Sequence, residues 1–305
     1  MNMPLTSQTS QTSLTPLVEQ VRSFNRTMTE RVGALNDHFL GKNHPLGEAR
    51  LLWEIGIDGA SVRDLRRRLE LDSAYVSRLL RSLEKQGLVE VKASAHDGRV
   101  RLVRLTKAGL RERAELDRRA DTFARSLLEP LSESQRVKLG AAMAEVERLL
   151  IASMVQIAVA DPTSQDARWC IEHYFAELNQ RFPTGFDPTR GIQAHPHELT
   201  PPAGLLLVAH LREEPVGCGG LKFHENGIGE LKRMWVAPRA RGLGLGQRLL
   251  LALEQAARDA GMTMLHLETN GSLTVAIAMY RHNGYQEVEA FNDEPYAHHW
   301  FEKRL

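Results

Sequence analysis

Cysteine is scarce in this chain of 305 residues, which holds only Cys170 and Cys218. Two cysteines exclude a disulfide-stapled scaffold, and they form no Cys-x-x-Cys metal pair. Long apolar runs are also missing, since a stretch such as residues 204–209 is far shorter than the roughly 18 residues that cross a bilayer. The N-terminal residues show no basic segment followed by an apolar block, so no export signal is evident, and we expect a cytoplasmic protein.

An excess of charge of one sign is lacking as well, because the formal net charge is only +1. The halves differ, however: residues 1–154 carry a balance of +5 and residues 155–305 a balance of −4. The positive excess is concentrated in residues 61–113, with 14 basic and 7 acidic side chains. This asymmetry, in a chain twice as long as the usual domain of about 150 residues, predicts two domains with different partners. We expect a disordered tail over 1–13 and domains over 14–154 and 155–305.

The basic region has the pattern of a helix-turn-helix. After a long helix over 14–40, Ser61 with Asp64 three residues later begins a short helix, and a tight turn leads to a second one. In this second helix Val76, Leu79, Leu80 and Leu83 recur at the spacing of a buried stripe. The opposite side carries small and basic residues, namely Ala74, Ser77, Arg78, Arg81 and Lys85. Such a face fits the DNA major groove, where arginine bonds guanine bidentately.

A basic β-hairpin follows the second helix. Residues 88–94 and 99–105 read as strands on either side of an Ala-His-Asp-Gly turn. The tip and the second strand carry Arg99, Arg101 and Arg104, and Asp97 is placed to orient the Arg99 guanidinium. A basic hairpin beside a basic helix predicts the winged variant of the helix-turn-helix, whose wing reaches the adjacent minor groove.

This order of elements, with DGRVRLVRLT in the hairpin and long helices that Thr106 and Ser132 cap, resembles the MarR family of transcriptional regulators over residues 14–154. The resemblance implies a mainly α winged helix-turn-helix fold and an obligate homodimer built from the first and last helices. It also implies a pseudo-palindromic operator in double-stranded DNA. The DNA-binding residues that it implies, in a recognition helix over 73–86 and in the wing, are Ser73, Ala74, Ser77, Arg78, Arg81, Arg99 and Arg101.

A glycine-rich loop marks the second half. Three strands, GLLLVAHL, PVGCGGLKF and GELKRMWV, precede RGLGLG at residues 241–246, which runs into a helix. A turn of this kind offers free backbone N–H groups and the positive end of a helix dipole to a phosphate. The dinucleotide fingerprint is excluded because Gln247 and Leu249 occupy its glycine positions, and a P-loop is excluded because no lysine follows Gly246.

With ELKRMWVAP before it and AMYRHNGY after it, this R-x-x-G-x-G loop resembles the GNAT superfamily of N-acetyltransferases over residues 155–305. The resemblance implies an α+β fold with a mixed, mostly antiparallel sheet, whose fourth and fifth strands splay apart to admit acetyl-coenzyme A. The loop backbone would hold the pyrophosphate, and residues 234–236 would pair with the pantetheine arm and polarise the acetyl carbonyl. The implied coenzyme-binding residues are Met234, Trp235, Val236, Arg241, Gly242, Leu243, Gly244, Leu245, Gly246 and Gln247.

The resemblance also implies two catalytic residues. Tyr280 falls on the tyrosine of AMYRHNGY, where the phenol serves as general acid for the departing thiolate, although a helix tyrosine that only packs is the alternative. Glu230 occupies the strand position that bears the general base in some members, and it would otherwise close a salt bridge or orient Lys232. Leu273 departs from the family pattern, which often has asparagine there, so coenzyme contacts from that helix are left open.

These features predict a fusion of a transcriptional regulator and an N-acetyltransferase that acetylates an amine by direct attack. Two alternatives are a regulator whose GNAT half senses acetyl-coenzyme A without turnover, and an enzyme whose MarR half serves only for dimerisation. The pairs His195/His197 and His298/His299 have no cysteine or carboxylate at a familiar metal-ligand spacing, so we expect no metal. His298, Tyr296 and Trp300 are expected near the acceptor entrance.

Overall fold

The computed structural model describes residues 14–32, 40, 44–93 and 100–305. The tail predicted over 1–13 and the wing tip with Arg99 lie outside these residues, as does part of the predicted helix over 14–40. The chain divides into two compact units, Met1–Arg136 and Val137–Leu305. The predicted domain boundary at 154/155 stays a prediction. No helix in the described ranges combines the length and the apolar character that a membrane span requires.

The N-terminal unit is helical with one small sheet. Its helices are α1 (Thr15–Val32), α2 (Leu46–Ile55), α3 (Val62–Leu69), α4 (Ser73–Lys85) and α5 (Lys107–Leu128). The strands β1 (Ala60–Ser61), β2 (Val89–Ala93) and β3 (Arg101–Leu105) form an antiparallel sheet in the order β1-β3-β2. This is the predicted winged helix-turn-helix arrangement.

Side-chain caps set the helix starts in this unit as the sequence predicts. Ser61 Oγ accepts a hydrogen bond from the Asp64 amide at 3.0 Å, and Thr106 Oγ1 accepts one from the Gly109 amide at 3.0 Å. Each cap satisfies an amide that has no partner inside its helix. The predicted stripe of α4 is buried against α2 and the sheet, in a core that includes Leu51, Leu52, Leu65, Val76, Leu79, Leu80, Leu83 and Val103.

The C-terminal unit is built on a seven-stranded sheet in the order β4-β5-β6-β7-β8-β10-β9. The strands are β4 (Val155–Ala160), β5 (Gly204–Leu211), β6 (Glu214–Phe223), β7 (Ile228–Val236), β8 (Met264–Thr269), β9 (Gln286–Val288) and β10 (His299–Arg304). The helices are α6 (Glu133–Ser153), which begins before the division between the units, α7 (Gln165–Arg181), α8 (Leu245–Asp259) and α9 (Thr274–His282). All neighbouring strands are antiparallel except β7 and β8, so the predicted mixed, mostly antiparallel sheet is confirmed.

The core of this unit lies where α7 and α8 pack on the central strands. The apolar face of α8 supplies Leu249, Leu250 and Leu253, all fully buried, and the cysteines Cys170 and Cys218 are buried as well. Burial in an apolar core is typical of cysteines that serve for packing.

Candidate active site and DNA-binding face

The strands β7 and β8 separate along their length. They pair only between residues 228–230 and 264–266, whereas β7 continues to Val236 with β6 as its partner on the other side. From residue 231 onward, no strand among the described residues pairs with the edge of β7 that faces away from β6. This opening between the fourth and fifth strands of the sheet was expected from the sequence, and two cavities lie beside it.

The first cavity, of about 420 Å³, follows the end of β7 and the glycine-rich loop. Of the ten residues predicted to bind the coenzyme, nine line it: Met234, Trp235, Val236, Arg241, Gly242, Gly244, Leu245, Gly246 and Gln247. The side chain of the tenth, Leu243, packs against the core instead.

The loop geometry leaves backbone amides free at the start of α8. Gly242 and Gly244 adopt φ values of +77° and +69°, a conformation that glycine reaches without strain. Gly244 is the N-cap and provides no side-chain cap, so the amides of residues 245–247 keep their hydrogens available. Because the positive end of the helix dipole lies at the same point, the loop fits a diphosphate.

Arg241 is already held by protein groups. Its Nη2 donates to Glu177 Oε2 at 2.5 Å and its Nε donates to the Val236 carbonyl at 3.1 Å. Trp235 Nε1 donates to the same Glu177 oxygen at 2.8 Å. These bonds tie the loop to α7 and β7. Arg241 thus acts by fixing the loop geometry as well as by lining the cavity.

Tyr280 lines the coenzyme cavity and is 5% exposed. Burial, and to a lesser degree the Glu268 carboxylate, raises the pKa of Tyr280 above its usual value. The phenol therefore keeps its proton at neutral pH. A protonated hydroxyl at this place is what a proton donor requires, although the ring also packs 5.7 Å from that of Tyr285.

The second cavity, of about 340 Å³, adjoins the first, and Tyr174, Leu178 and Leu273 line both. Its wall is strongly aromatic, with Tyr174, Phe175, Phe182, Phe186 and Tyr296. Its polar lining comes from the middle of β7, from the end of β8 with the residue after it, and from the segment before β10, and includes Lys232, Arg233, Glu268, Asn270 and Glu294. Of the residues expected near the acceptor entrance, Tyr296 lies here, whereas His298 and Trp300 are not among the residues that line the cavity. Trp300 Nε1 donates a hydrogen bond to Asn292 instead.

Glu268 on β8 is the buried acid of this second cavity. Its Oε1 is bound by Lys232 Nζ, while its Oε2 is buried and has no hydrogen-bond partner among the described residues. Burial raises the pKa of Glu268, and the nearby Lys232 offsets only part of this effect. A carboxylate with a free oxygen and a raised pKa is equipped to accept a proton.

Glu230 lies in an ion-pair cluster instead. Its carboxylate contacts Lys232 at 2.9 Å, His224 at 3.1 Å and Lys222 at 3.7 Å, and it does not line either cavity. Burial works to raise the pKa of Glu230, but Lys232 and His224 outweigh it and hold the pKa below its usual value. The geometry thus matches the salt-bridge alternative for Glu230.

The N-terminal unit presents the predicted DNA-binding face. Ser73, Ala74, Arg78, Arg81 and Arg101 are exposed, and Ser77 is partly exposed. Ser77 and Arg81 of α4 line a small surface cavity together with Arg101 of β3, so the helix and the sheet meet there. This places three of the predicted residues side by side, while Arg99 lies outside the described residues.

Comparison with known proteins gives the two halves separate relatives. The Acetyltransferase (GNAT) family matches residues 171–285, and the MarR family matches residues 44–100. An IAA acetyltransferase of Azospirillum brasilense is 36% identical over 144 residues, which are 47% of this chain and 90% of that protein. The chain therefore belongs to the GNAT acetyltransferase family, fused to a MarR-family domain.

Two further relatives are similar to parts of this MarR–GNAT fusion. An uncharacterised HTH-type transcriptional regulator of Bacillus subtilis, YdgJ, is 38% identical over 80 residues, which are 26% of this chain and 48% of that protein. A solved structure of a putative acyl-CoA N-acyltransferase from Klebsiella pneumoniae is 32% identical with a TM-score of 0.40, and the match covers 50% of this chain and 98% of that one. GNAT acetyltransferases use acetyl-coenzyme A, and nine of the ten residues predicted to bind it line the first cavity.

Metal ligands do not cluster in the part of the MarR–GNAT fusion that the structure describes, where no group of three or more His, Cys, Asp and Glu could hold an ion. The rings of His195 and His197 stack 5.6 Å apart, and His299 bonds Glu287.

Sequence reasoning missed the polar groups of the second cavity. Glu268 carries a weak signal, since it is the one acidic residue of MLHLET, the strand that borders the opening. Arg233 and Glu177 carry none, because their roles depend on contacts with distant residues such as Ala194 and Trp235.

Proposed function

We propose that this fusion is a bifunctional protein, which binds double-stranded DNA with its MarR domain and transfers acetyl from acetyl-coenzyme A to an amine with its GNAT domain. One observation supports transfer most directly. The coenzyme cavity shares three lining residues with a second cavity, and that cavity contains a buried carboxylate, Glu268, with a free oxygen. A domain that only senses the coenzyme needs no such base, and the acetyltransferase relatives do not favour that alternative.

The proposed reaction is direct attack within a ternary complex. The acceptor nitrogen attacks the acetyl carbonyl carbon, a C–N bond forms, and the thioester C–S bond breaks. Glu268 takes the proton that the amine loses, and Tyr280 gives its phenolic proton to the departing sulfur. Backbone N–H groups of residues 234–236, on the edge of β7 without a strand partner, stabilise the negative charge on the carbonyl oxygen.

We assign the general base to Glu268 rather than to Glu230. A base must reach the amine, and Glu268 lines the cavity beside the coenzyme, whereas Glu230 does not. A base also needs a free acceptor atom, and the Glu230 oxygens are engaged by Lys232 and His224. The two pKa shifts agree with this assignment, because that of Glu268 is raised and that of Glu230 is lowered.

The test of acetyl transfer is thiol release from acetyl-coenzyme A across a panel of amines, amino acids and peptides. The proposal expects at least one acceptor whose acetylated product is seen by mass spectrometry, at a rate that depends on Tyr280. Binding of acetyl-coenzyme A by calorimetry, with no acceptor from any class acetylated, would contradict the enzymatic part of the proposal.

For the MarR domain we propose a homodimer that binds a pseudo-palindromic operator. The helix α1 supports the dimer, because Leu17, Val18 and Val21 are 58%, 51% and 55% exposed and the helix buries no residue in the single chain. Burying this apolar stripe between two copies would remove it from water. Both proposed ligands, genomic DNA and acetyl-coenzyme A, place the protein in the cytoplasm.

The test of DNA binding is the salt dependence of affinity for genomic fragments selected by the protein. Phosphate contacts release counterions, so the logarithm of the association constant is expected to fall linearly with the logarithm of the salt concentration. A salt-independent interaction, or none, would leave dimerisation as the role of the MarR domain.

A further inference from the structure

Arg233 is a cation in the acceptor cavity, and no carboxylate of the described residues forms an ion pair with it. Its Nη2 donates to the Ala194 carbonyl at 2.6 Å, and its guanidinium carbon lies 5.4 Å from the centre of the Phe175 ring. Burial lowers the pKa of Arg233, but an arginine stays charged in proteins. A half-buried guanidinium without a counterion is a binding group for a carboxylate.

The backbone aims Arg233 into this cavity. Neighbouring residues of a strand normally point to opposite faces, so Lys232 and Arg233 should not share a site. Arg233, however, has φ +56°, and the β6–β7 register shifts between Cys218 and Gly220, opposite it. This bulge brings both side chains to the cavity wall. A left-handed backbone conformation costs free energy at a residue with a side chain such as arginine. Such strained residues cluster at functional sites, where the conformation positions a side chain.

Lys232 and Glu294, two other charged side chains of the cavity, already bond groups of the protein. Lys232 is bound by Glu230 and Glu268 together. Glu294 accepts the amides of Ile192 at 2.5 Å and Tyr296 at 3.2 Å, so it organises the wall. What remains for a ligand is the positive charge of Arg233 and the free oxygen of Glu268. These two groups are complementary to a carboxylate and an amine on one small molecule.

An aromatic cluster forms the rest of the wall. The ring of Phe186 lies 5.4 Å from Phe175, 5.8 Å from Phe182 and 4.9 Å from Tyr296, measured between centroids. Aromatic residues are only 6% of the chain, so five of them around one cavity are a local enrichment. The volume of about 340 Å³ is at the lower end for ligand sites and suits a small molecule rather than a protein segment.

We propose that the acceptor is a free α-amino acid with an aromatic side chain. Arg233 binds its carboxylate, Glu268 takes a proton from its α-amine, and the ring lies among Phe175, Phe182, Phe186 and Tyr296. The product is the N-acetyl amino acid, and the thiol of coenzyme A is released. This inference rests on the proposed acetyl transfer and adds the class of the acceptor.

The experiment compares three acceptors that differ only at the carboxylate: phenylalanine, phenylalaninamide and phenethylamine. Thiol release by the full-length protein is expected to give phenylalanine a kcat/KM about 10- to 100-fold above the other two, the range for a hydrogen bond to a charged group. Alanine, which keeps the carboxylate but lacks the ring, is expected to be a poor acceptor.

The variant Arg233→Met tests the assigned residue. It is expected to abolish the preference for phenylalanine over phenethylamine while acetyl-coenzyme A still binds by calorimetry, which also shows that the variant folds. Arg233→Lys should retain part of the preference. The control is Arg168→Met on α7, since Arg168 is exposed and lines neither cavity.

The outcomes separate this inference from the proposed function. If phenethylamine is acetylated as well as phenylalanine, or if Arg233→Met keeps the preference, the acceptor class is wrong while acetyl transfer holds. If acetyl-coenzyme A binds and no amine of any kind is acetylated, the proposed function itself fails. The inference is supported if Arg233→Met loses the preference for phenylalanine and the control Arg168→Met keeps it.

Discussion

Replacing Glu268 with glutamine removes the proposed base and leaves its surroundings nearly intact. The glutamine carbonyl oxygen can take the place of Oε1, which Lys232 binds, while its amide nitrogen occupies the place of the free Oε2 and accepts no proton. General-base catalysis contributes about 100- to 1,000-fold, or roughly 3–4 kcal/mol, and we expect kcat/KM to fall by that factor. Lys232 keeps Glu230 as partner, so the free energy of unfolding should change by only about 1 kcal/mol.

The pH profile of thiol release identifies the base more sharply than the rate alone. An amine acceptor must be neutral to attack, so kcat/KM falls about tenfold per pH unit below the pKa of the acceptor. Below the raised pKa of Glu268 the carboxylate is protonated as well, so kcat/KM should fall about a hundredfold per pH unit. We call this steepening the second step of the profile. In Glu268→Gln the second step should be absent at every pH.

Glu230→Gln is the matched control, because Glu230 contacts the same lysine from outside the cavity. It should keep the second step, moved to lower pH, since the Glu230 charge helps to raise the pKa of Glu268. It should also be less stable by about 1–3 kcal/mol through lost charged contacts. Because the pKa of Glu230 is lowered in the folded state, that difference should vanish as pH falls through this value. A profile that loses its second step in Glu230→Gln and keeps it in Glu268→Gln would refute our assignment.

Three further predictions concern the other groups. Tyr280→Phe should lower kcat by about 10²- to 10⁴-fold with the affinity for acetyl-coenzyme A unchanged in calorimetry, whereas a tyrosine that only packs would leave kcat near wild type. Gly244→Ala forces a side chain onto a residue with φ +69° and should raise the Kd for acetyl-coenzyme A, while Gly140→Ala on the open side of α6 should not. Arg81→Gln should weaken DNA binding in an electrophoretic shift assay, and an unchanged affinity would remove the α4 face from the interface.

Much of the fold could be predicted because its signals are local. The caps at Ser61 and Thr106 and the buried stripe of α4 each depend on residues within one helix turn or two. The mixed sheet and the opening between its fourth and fifth strands came with the family resemblance, since nothing in either strand alone specifies its neighbour.

The acceptor site was less predictable because it is assembled from segments far apart in the chain. Arg233 belongs to a strand whose alternation would direct it away from Lys232, and the bulge that reverses this depends on the pairing of β7 with β6. The aromatic wall joins α7, the loop that follows it and Tyr296, more than a hundred residues later. Glu230 was predicted as the base from its position in a motif. That position carries no information about the ion pairs that the Glu230 oxygens form.

Lys232 links the two carboxylates and explains why they differ. One buried lysine between two acids stabilises the charge of both. Glu230 is further stabilised by His224 and Lys222, whereas Lys232 is the one cation of the described residues that bonds Glu268, which Glu230 and Glu294 repel. The pKa of Glu230 is therefore held below its usual value, whereas burial outweighs the shared cation at Glu268 and leaves its pKa raised. When the environment drives the pKa values of two neighbouring acids apart, one acid keeps a structural charge and the other can accept a proton. The difference between the two pKa values depends on which acid has cationic neighbours besides Lys232. The ion pairs of Glu230 with His224 and Lys222 are therefore part of the reason that Glu268, and not Glu230, acts as the base.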